Sequence, residues 1–132
     1  MGALGYLLDT HTFLWAVRES HKLSNTAKDA IADTSIKSYV SAVTAYEIMN
    51  KFRIGKFNEY EYVVKNYFDI LREFDVFELS LNTRHAHYAG EFKWEHRDPF
   101  DRQLAAQASI ENLTLITNDP AFDTLDWVTT LW

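Results

Sequence analysis

Short apolar runs alternate with stretches of helical spacing along the chain, and that alternation limits the folds open to it. "LGYLLD" (4–9) is long enough for a buried strand, and "THTFLWAVRE" (10–19) then takes helical spacing through Phe13, Leu14 and Val17. "LSNTAKDAIAD" (23–33) reads as a helix with Ser24 as its N-cap. "SYVSAV" (38–43) is short and strand-like, and gives way to the helical "TAYEIMNKFRIG" (44–55), which Gly55 stops. "NEYEYVVKNYFDILREF" (58–74) reads as one long helix, with Tyr60, Val63, Val64, Tyr67, Leu71 and Phe74 on an apolar stripe. "DVFELS" (75–80) alternates as a strand does, "NTRHAHYAGEF" (82–92) is helical, and another helix runs from Pro99 to Ile110. "LTLIT" (113–117) is a strand, "NDPAFDTL" turns, and "DWVTTLW" (126–132) holds a last strand. Connections this long serve as crossovers between parallel strands. The pattern therefore predicts an α/β fold, a parallel sheet covered on both faces, in one domain over residues 1–132.

A chain of 132 residues, 47% hydrophobic and 15% aromatic, can bury a real core and is too apolar for a disordered tail. It has no cysteine, which excludes disulfides and thiolate metal sites. Its apolar runs fall far short of a bilayer span, and "MGALGYLLDT" lacks the basic opening of a signal peptide. The expectation is a cytoplasmic protein with no membrane contact. A net charge of −6 argues against a protein that grips nucleic acid mainly through phosphates, so any such role needs a local basic patch or a bound cation.

Four acids stand where that cation would be needed. Asp9 directly follows "YLL", Glu47 lies about one helical turn beyond "SYVS", and Asp119 stands two residues past "LTLIT". Asp101 occupies the first turn of the Pro99–Ile110 helix. In open parallel sheets ligands bind beyond the carboxyl ends of the strands, which here would gather all four acids on one rim. Each also has a structural reading. Asp98, Pro99 and Asp101 fit the N-cap, N1 and N3 positions, Thr44-x-x-Glu47 matches a capping box, and Asp119-Pro120 is another cap with its proline. Caps account for the acids one at a time. Together they repel, by roughly 4 kcal/mol for two unit charges about 4 Å apart at an effective dielectric near 20, unless a cation neutralises them. A hard ion such as Mg2+ or Mn2+ suits carboxylate and water oxygens and would also attract a phosphate. Asp101 shares a helix face with Leu104, Ala105 and Ala108, so it leans toward the sheet and is assigned to the metal. Asp98 is assigned to capping or to the outer shell, and the two can exchange roles.

At these residues "YLLDTHTFLW", "VSAVTAYEI", "HRDPFDRQLAAQA" and "LTLITNDPAF" together resemble the PIN domain (PilT N-terminal domain), in particular the VapC-type toxins of bacterial toxin–antitoxin pairs. The match runs in order from about residue 6 to residue 122. The resemblance implies a three-layer α/β/α sandwich around a mostly parallel sheet. It also implies a Mg2+- or Mn2+-dependent endoribonuclease that hydrolyses RNA phosphodiesters with a metal-activated water, the toxin of a type II pair. Asp9, Glu47, Asp101 and Asp119 match the family's metal-holding, catalytic acids, and Thr117 or Asn118 matches an assisting hydroxyl or amide. A cognate antitoxin and a homodimer are the implied partners. Asp98 of "DPFD" departs from the general pattern and leaves the third ligand open. Arg102, beside Asp101, is a candidate phosphate contact, and Lys51, Arg53 and Lys56 of "NKFRIGKF" form a modest substrate patch.

Three rivals are weaker. A zinc hydrolase would draw on His85, His87, His96, His11 and His21, but residues at i and i+2 of a helix share no face and no HExxH is present. A phosphoacceptor domain of receiver type would want paired acids after the first strand, where "LLDTH" has one. A non-catalytic interaction module would use the aromatic 58–74 helix as its surface, although such stripes more often face a core.

Overall fold

The computed structural model describes residues 4–132. The signal-peptide reading falls partly on the first three residues, which lie outside that range. In chain order the elements are β1 (Tyr6–Leu8), α1 (Thr10–Arg18), α2 (Asn25–Ala32), β2 (Ser38–Ser41) and α3 (Ala42–Arg53). Then come α4 (Glu61–Lys65), α5 (Tyr67–Glu73), β3 (Val76–Leu79), α6 (Thr83–Glu91), α7 (Pro99–Ile110), β4 (Thr114–Ile116) and β5 (Thr130–Leu131). The five strands form one parallel sheet in the order β3-β2-β1-β4-β5.

Alternation along the strands sorts the core into two layers. Leu8 of β1, Val40 of β2 and Ile116 of β4 face one way, onto Phe13 and Leu14 of α1, Ile48 of α3, and Val63 and Ile70 of α4 and α5. Leu7 and Leu115 face the other way, onto Leu104, Ala105 and Ala108 of α7 and onto Phe122, Leu125 and Val128. The result is the expected α/β/α sandwich. Gly5 opens β1 because a Cβ there would stand 2.8 Å from the Lys37 carbonyl oxygen. Asp75 before β3 and Asn112 before β4 take left-handed backbone (φ 57° and 53°), the conformation that ends a helix sharply.

The strand order reverses at β1. From β1 the chain adds β2 and then β3 on one side, with α1–α5 covering one face. It then returns through α6 and α7 to lay β4 on the other side of β1, followed by β5. Because parallel crossovers are right-handed, such a reversal moves the connections to the opposite face, and a crevice opens beyond the carboxyl ends of β1 and β4. Asp9 follows β1, and Thr117 to Asp119 follow β4.

Several elements differ from the sequence pattern. The segment 58–74 is not one helix. A 3-10 turn at Asn58–Tyr60 leads into α4, and Asn66 (φ −122°) separates α4 from α5. The Tyr62 carbonyl oxygen accepts both from the Asn66 N–H at 3.1 Å and from the Asn66 side-chain amide at 2.9 Å, so Asn66 closes the end of α4. The stripe still serves the core through Tyr60, Val63, Tyr67 and Leu71, but Phe74, beyond the end of α5, is 43% exposed. The Thr44–Glu47 capping box is also absent. α3 starts earlier, capped by the Ser41 hydroxyl accepting from the Val43 N–H, which leaves Thr44 and Glu47 inside the helix and buried. Among the described residues no helix is long and apolar enough to cross a membrane.

Candidate metal centre

Asp9 leaves the end of β1 and caps α1, its Oδ1 accepting from the Thr12 N–H at 2.7 Å. Its Oδ2 accepts from the Thr117 hydroxyl, so the ends of β1 and β4 are joined through this carboxylate. Burial pushes its pKa above the ordinary carboxylate value, against the bonds from Thr117 and Thr12. Asp98 and Pro99 hold the N-cap and N1 positions of α7, as read from sequence, with Asp98 Oδ1 accepting from the N–H groups of Phe100 and Asp101. Asp101, one turn in, bonds through Oδ2 to His96 Nε2 at 2.7 Å. Burial raises it to about 6, the charges of Asp98 and Asp119 adding to the rise and the His96 bond opposing it. Asp119 caps the 3-10 turn Pro120–Thr124 through the Ala121 N–H, while its own N–H donates to Thr117.

Glu47 comes to the same place from α3. It is buried, accepting from the Thr10 hydroxyl at 2.6 Å and from the Lys51 ammonium at 2.5 Å. One cleft of about 550 Å3 is lined by Asp9, Glu47, Asp98, Asp101, Asn118 and Asp119, with Lys51 and His96 at its walls. Five carboxylates from four separate segments thus share one opening. Among the described residues one trio has donor atoms all within 4.8 Å of one another, His96, Asp98 and Asp101. Asp9, Glu47 and Asp119 line the cleft without joining that tighter group.

Two of the residues singled out for this rim do not line it: Thr117 is buried behind it, bonded to Asp9, and Arg102 has its guanidinium donating to the carbonyl oxygens of Ala89, at 2.8 Å, and Phe92 and stacked over the Phe92 ring. Those bonds fix the end of α6 to α7, so the guanidinium is held in a structural clamp outside the cleft lining. Arg102→Ala strands both carbonyls and is expected to cost about 2–3 kcal/mol of stability, measured by urea unfolding, with cleft chemistry largely retained. An unchanged midpoint would contradict that assignment. The basic patch also divides. Lys51 turns into the cleft, whereas exposed Arg53 bonds Asn50 and Lys56 points to solvent.

Sequence reasoning passed over Thr10 and gave His96 only to the zinc rival. Thr10 sits beside Asp9, and the signal that could have placed it was a hydroxyl directly after a strand-end acid. For His96 no local pattern exists, since the Asp98-Pro99 turn is what folds it back onto Asp101. His85 is buried and structural. Its Nδ1 accepts from the Asn82 N–H, which leaves the proton on Nε2 for Glu111 at 2.8 Å. His87 is exposed, so the zinc pair has no common site. The receiver reading fails on topology, because receivers order their strands 2-1-3-4-5 and this sheet runs 3-2-1-4-5.

The family model for the PIN domain matches residues 6–128. A comparison with curated proteins found no match. Among solved structures, VapBC2 from Rickettsia felis bound to a DNA fragment from its promoter matches with a TM-score of 0.71 at 18% identity, covering 96% of this chain and 96% of that one. DNA-bound VapBC from Salmonella typhimurium gives 0.70 at 18%, with 97% of each chain covered. FitAcB from Neisseria gonorrhoeae gives 0.64 at 21%, with 96% of each. At these identities the likeness is one of fold.

Proposed function

The chain belongs to the PIN domain family, and from that membership together with the acid-lined cleft we propose that it is a Mg2+- or Mn2+-dependent endoribonuclease of VapC type, the toxin of a type II toxin–antitoxin pair. The observation that carries this reading is the meeting of Asp9, Glu47, Asp101 and Asp119, far apart in sequence, at the single point where the sheet reverses. The donor set fits the group. Carboxylates and hydroxyls surround the cleft, no thiolate exists, and the acids outnumber the cations that could answer them.

Asp9, Asp101, Glu47 and Asp119 would hold the ion, with Asp98 beside Asp101. The chemistry the ion supplies is Lewis acidity, which offsets charge growing on the phosphodiester and lowers the pKa of an attacking water. The protein's own groups do the rest. Thr117 fixes the Asp9 carboxylate and the Asp119 backbone, and Thr10 fixes Glu47. Asp119 orients the water for in-line attack, and Asn118 offers an amide at the cleft wall. Lys51 brings a lysine charge toward the substrate phosphate. Incubation of single-stranded RNA with Mg2+ tests the reaction. Attack by water leaves no 2′,3′-cyclic phosphate, so product ends carrying that cyclic group would contradict it.

An antitoxin and a second copy of the chain are the proposed partners. Phe68 at 70% exposure and Tyr62 at 48% give α4 and α5 an apolar outer surface of the kind an assembly covers.

Proton and cation compete for Asp101. Its folded-state pKa, about 6, lies above the ordinary 3.8, so the folded chain holds this proton more tightly than the unfolded chain does. That contribution is fully present below the unfolded value and is lost as pH rises through about 6, roughly 2 kcal/mol after allowance for partial exposure. Without divalent ions, Asp101→Asn should remove this pH dependence. With Mn2+, the gain in Tm should be large at pH 7.5 and shrink steadily as pH falls through and below about 6. Thermal melts across pH with EDTA or Mn2+ check both. A Mn2+ shift independent of pH would contradict the competition.

A further inference from the structure

A second cavity, of about 870 Å3, opens beside the acid-lined cleft. Residues 92–96 of "FKWEHR" make one wall, and Ala121, Thr124 and Leu125 make the other. His96 lines both openings, so the two are neighbours across that ring. Trp94 is half-buried in the first wall, its ring centroid 4.8 Å from that of His96 and 5.5 Å from that of Phe122. Its indole N–H donates to the Thr124 hydroxyl at 2.9 Å, which holds the ring in place at the rim. Phe92 backs it at 5.8 Å and is itself packed edge-on against Trp127. Exposed Lys93 and exposed Glu95 line the cavity on either side of Trp94, exposed Arg97 follows just outside it on the same segment, and neither cation forms an ion pair among the described residues. Of these groups the metal centre explains His96 alone. They combine a rigid aromatic surface with two cations, the pairing that suits a base and its backbone phosphates.

We infer that this cavity seats one nucleobase of the RNA strand next to the cleaved bond, packed on Trp94, with Lys93 and Arg97 on the adjoining phosphates. This rests on the ribonuclease reading. The two cations also give an acidic chain a local handle on a polyanion.

The test measures binding and cleavage separately on the isolated chain. Fluorescence anisotropy with a labelled oligoribonucleotide and no divalent ion reads binding, and steady-state cleavage with Mg2+ reads KM and kcat. Trp94→Leu keeps the apolar bulk and removes the ring, and should weaken binding and raise KM by about ten-fold or more, with kcat little changed. Trp94→Phe should recover most of that loss. Lys93→Ala with Arg97→Ala should flatten the dependence of binding on salt. Wild-type binding and KM in a folded Trp94→Leu variant would overturn the inference while the ribonuclease reading stood. A wild-type chain that binds the oligonucleotide in a Trp94-dependent way but cuts nothing would overturn the ribonuclease reading and leave the cavity as an RNA-binding surface without a cleaved bond beside it. A wild-type chain that binds no RNA would overturn both.

Discussion

Asp9→Asn and Asp101→Asn are each expected to lower Mg2+-dependent RNA cleavage by on the order of 10^3-fold, because the charge that positions the ion is worth several kcal/mol at the transition state. Neither should unfold the chain. Asparagine is as good an N-cap as aspartate, so the Thr12 N–H keeps a partner and α1 keeps its start. At Asp101 the substitution removes a half-buried charge whose pKa stands at about 6, so at pH 7.5 without divalent ions the variant should melt at the same temperature as wild type or above it. Activity lost while stability is kept or gained is the signature of a site that stores charge for a ligand. Asp98→Asn gives the contrast. Its cap survives, so its loss should be smaller than that of Asp101→Asn. Gel assays of initial rates alongside melting curves measure both quantities. A tenfold or smaller loss in both Asp9→Asn and Asp101→Asn would contradict the metal assignment.

Phe13→Ala is expected to cost about 3–5 kcal/mol, a large share of the stability of a domain this size. Phe13 has no solvent exposure, and its ring meets Tyr67 edge-on at 5.7 Å. It thus ties α1, which Asp9 caps and which carries Thr10, to α5 across the core layer. The cavity left behind would loosen the helix that, with its cap, presents Asp9, Thr10, His11 and Trp15 to the cleft, so cleavage should fall with stability. Phe74→Ala at the exposed end of α5 should change stability by no more than about 0.5 kcal/mol. Urea unfolding separates the two, and equal midpoints would contradict this account of the core.

The helices and strands that build the rim were legible because their signals are local. β1 and β4 are short apolar runs followed by acids, and Asp98-Pro99 announces the start of α7 to the residue. The grouping of the acids followed from one rule about parallel sheets. What the pattern did not carry was set by contacts across the fold. The break at Asn66 is a local exception, a backbone turn with φ −122° where a helix takes about −63°, and periodicity does not record it. Arg102 read as a phosphate ligand because it adjoins Asp101, yet adjacent helical residues point apart, and its guanidinium reaches the α6 carbonyls instead. His96 reaches Asp101 only because the chain turns at Asp98.

The central claim is that the gathered carboxylates act through a divalent ion. Cleavage of one single-stranded RNA by the same preparation, first in excess EDTA and then with Mn2+ restored above the chelator, tests it most directly. No products are expected in EDTA and full recovery with Mn2+ in wild type, with little recovery in Asp101→Asn. Cleavage that continues at the wild-type rate in EDTA would contradict it.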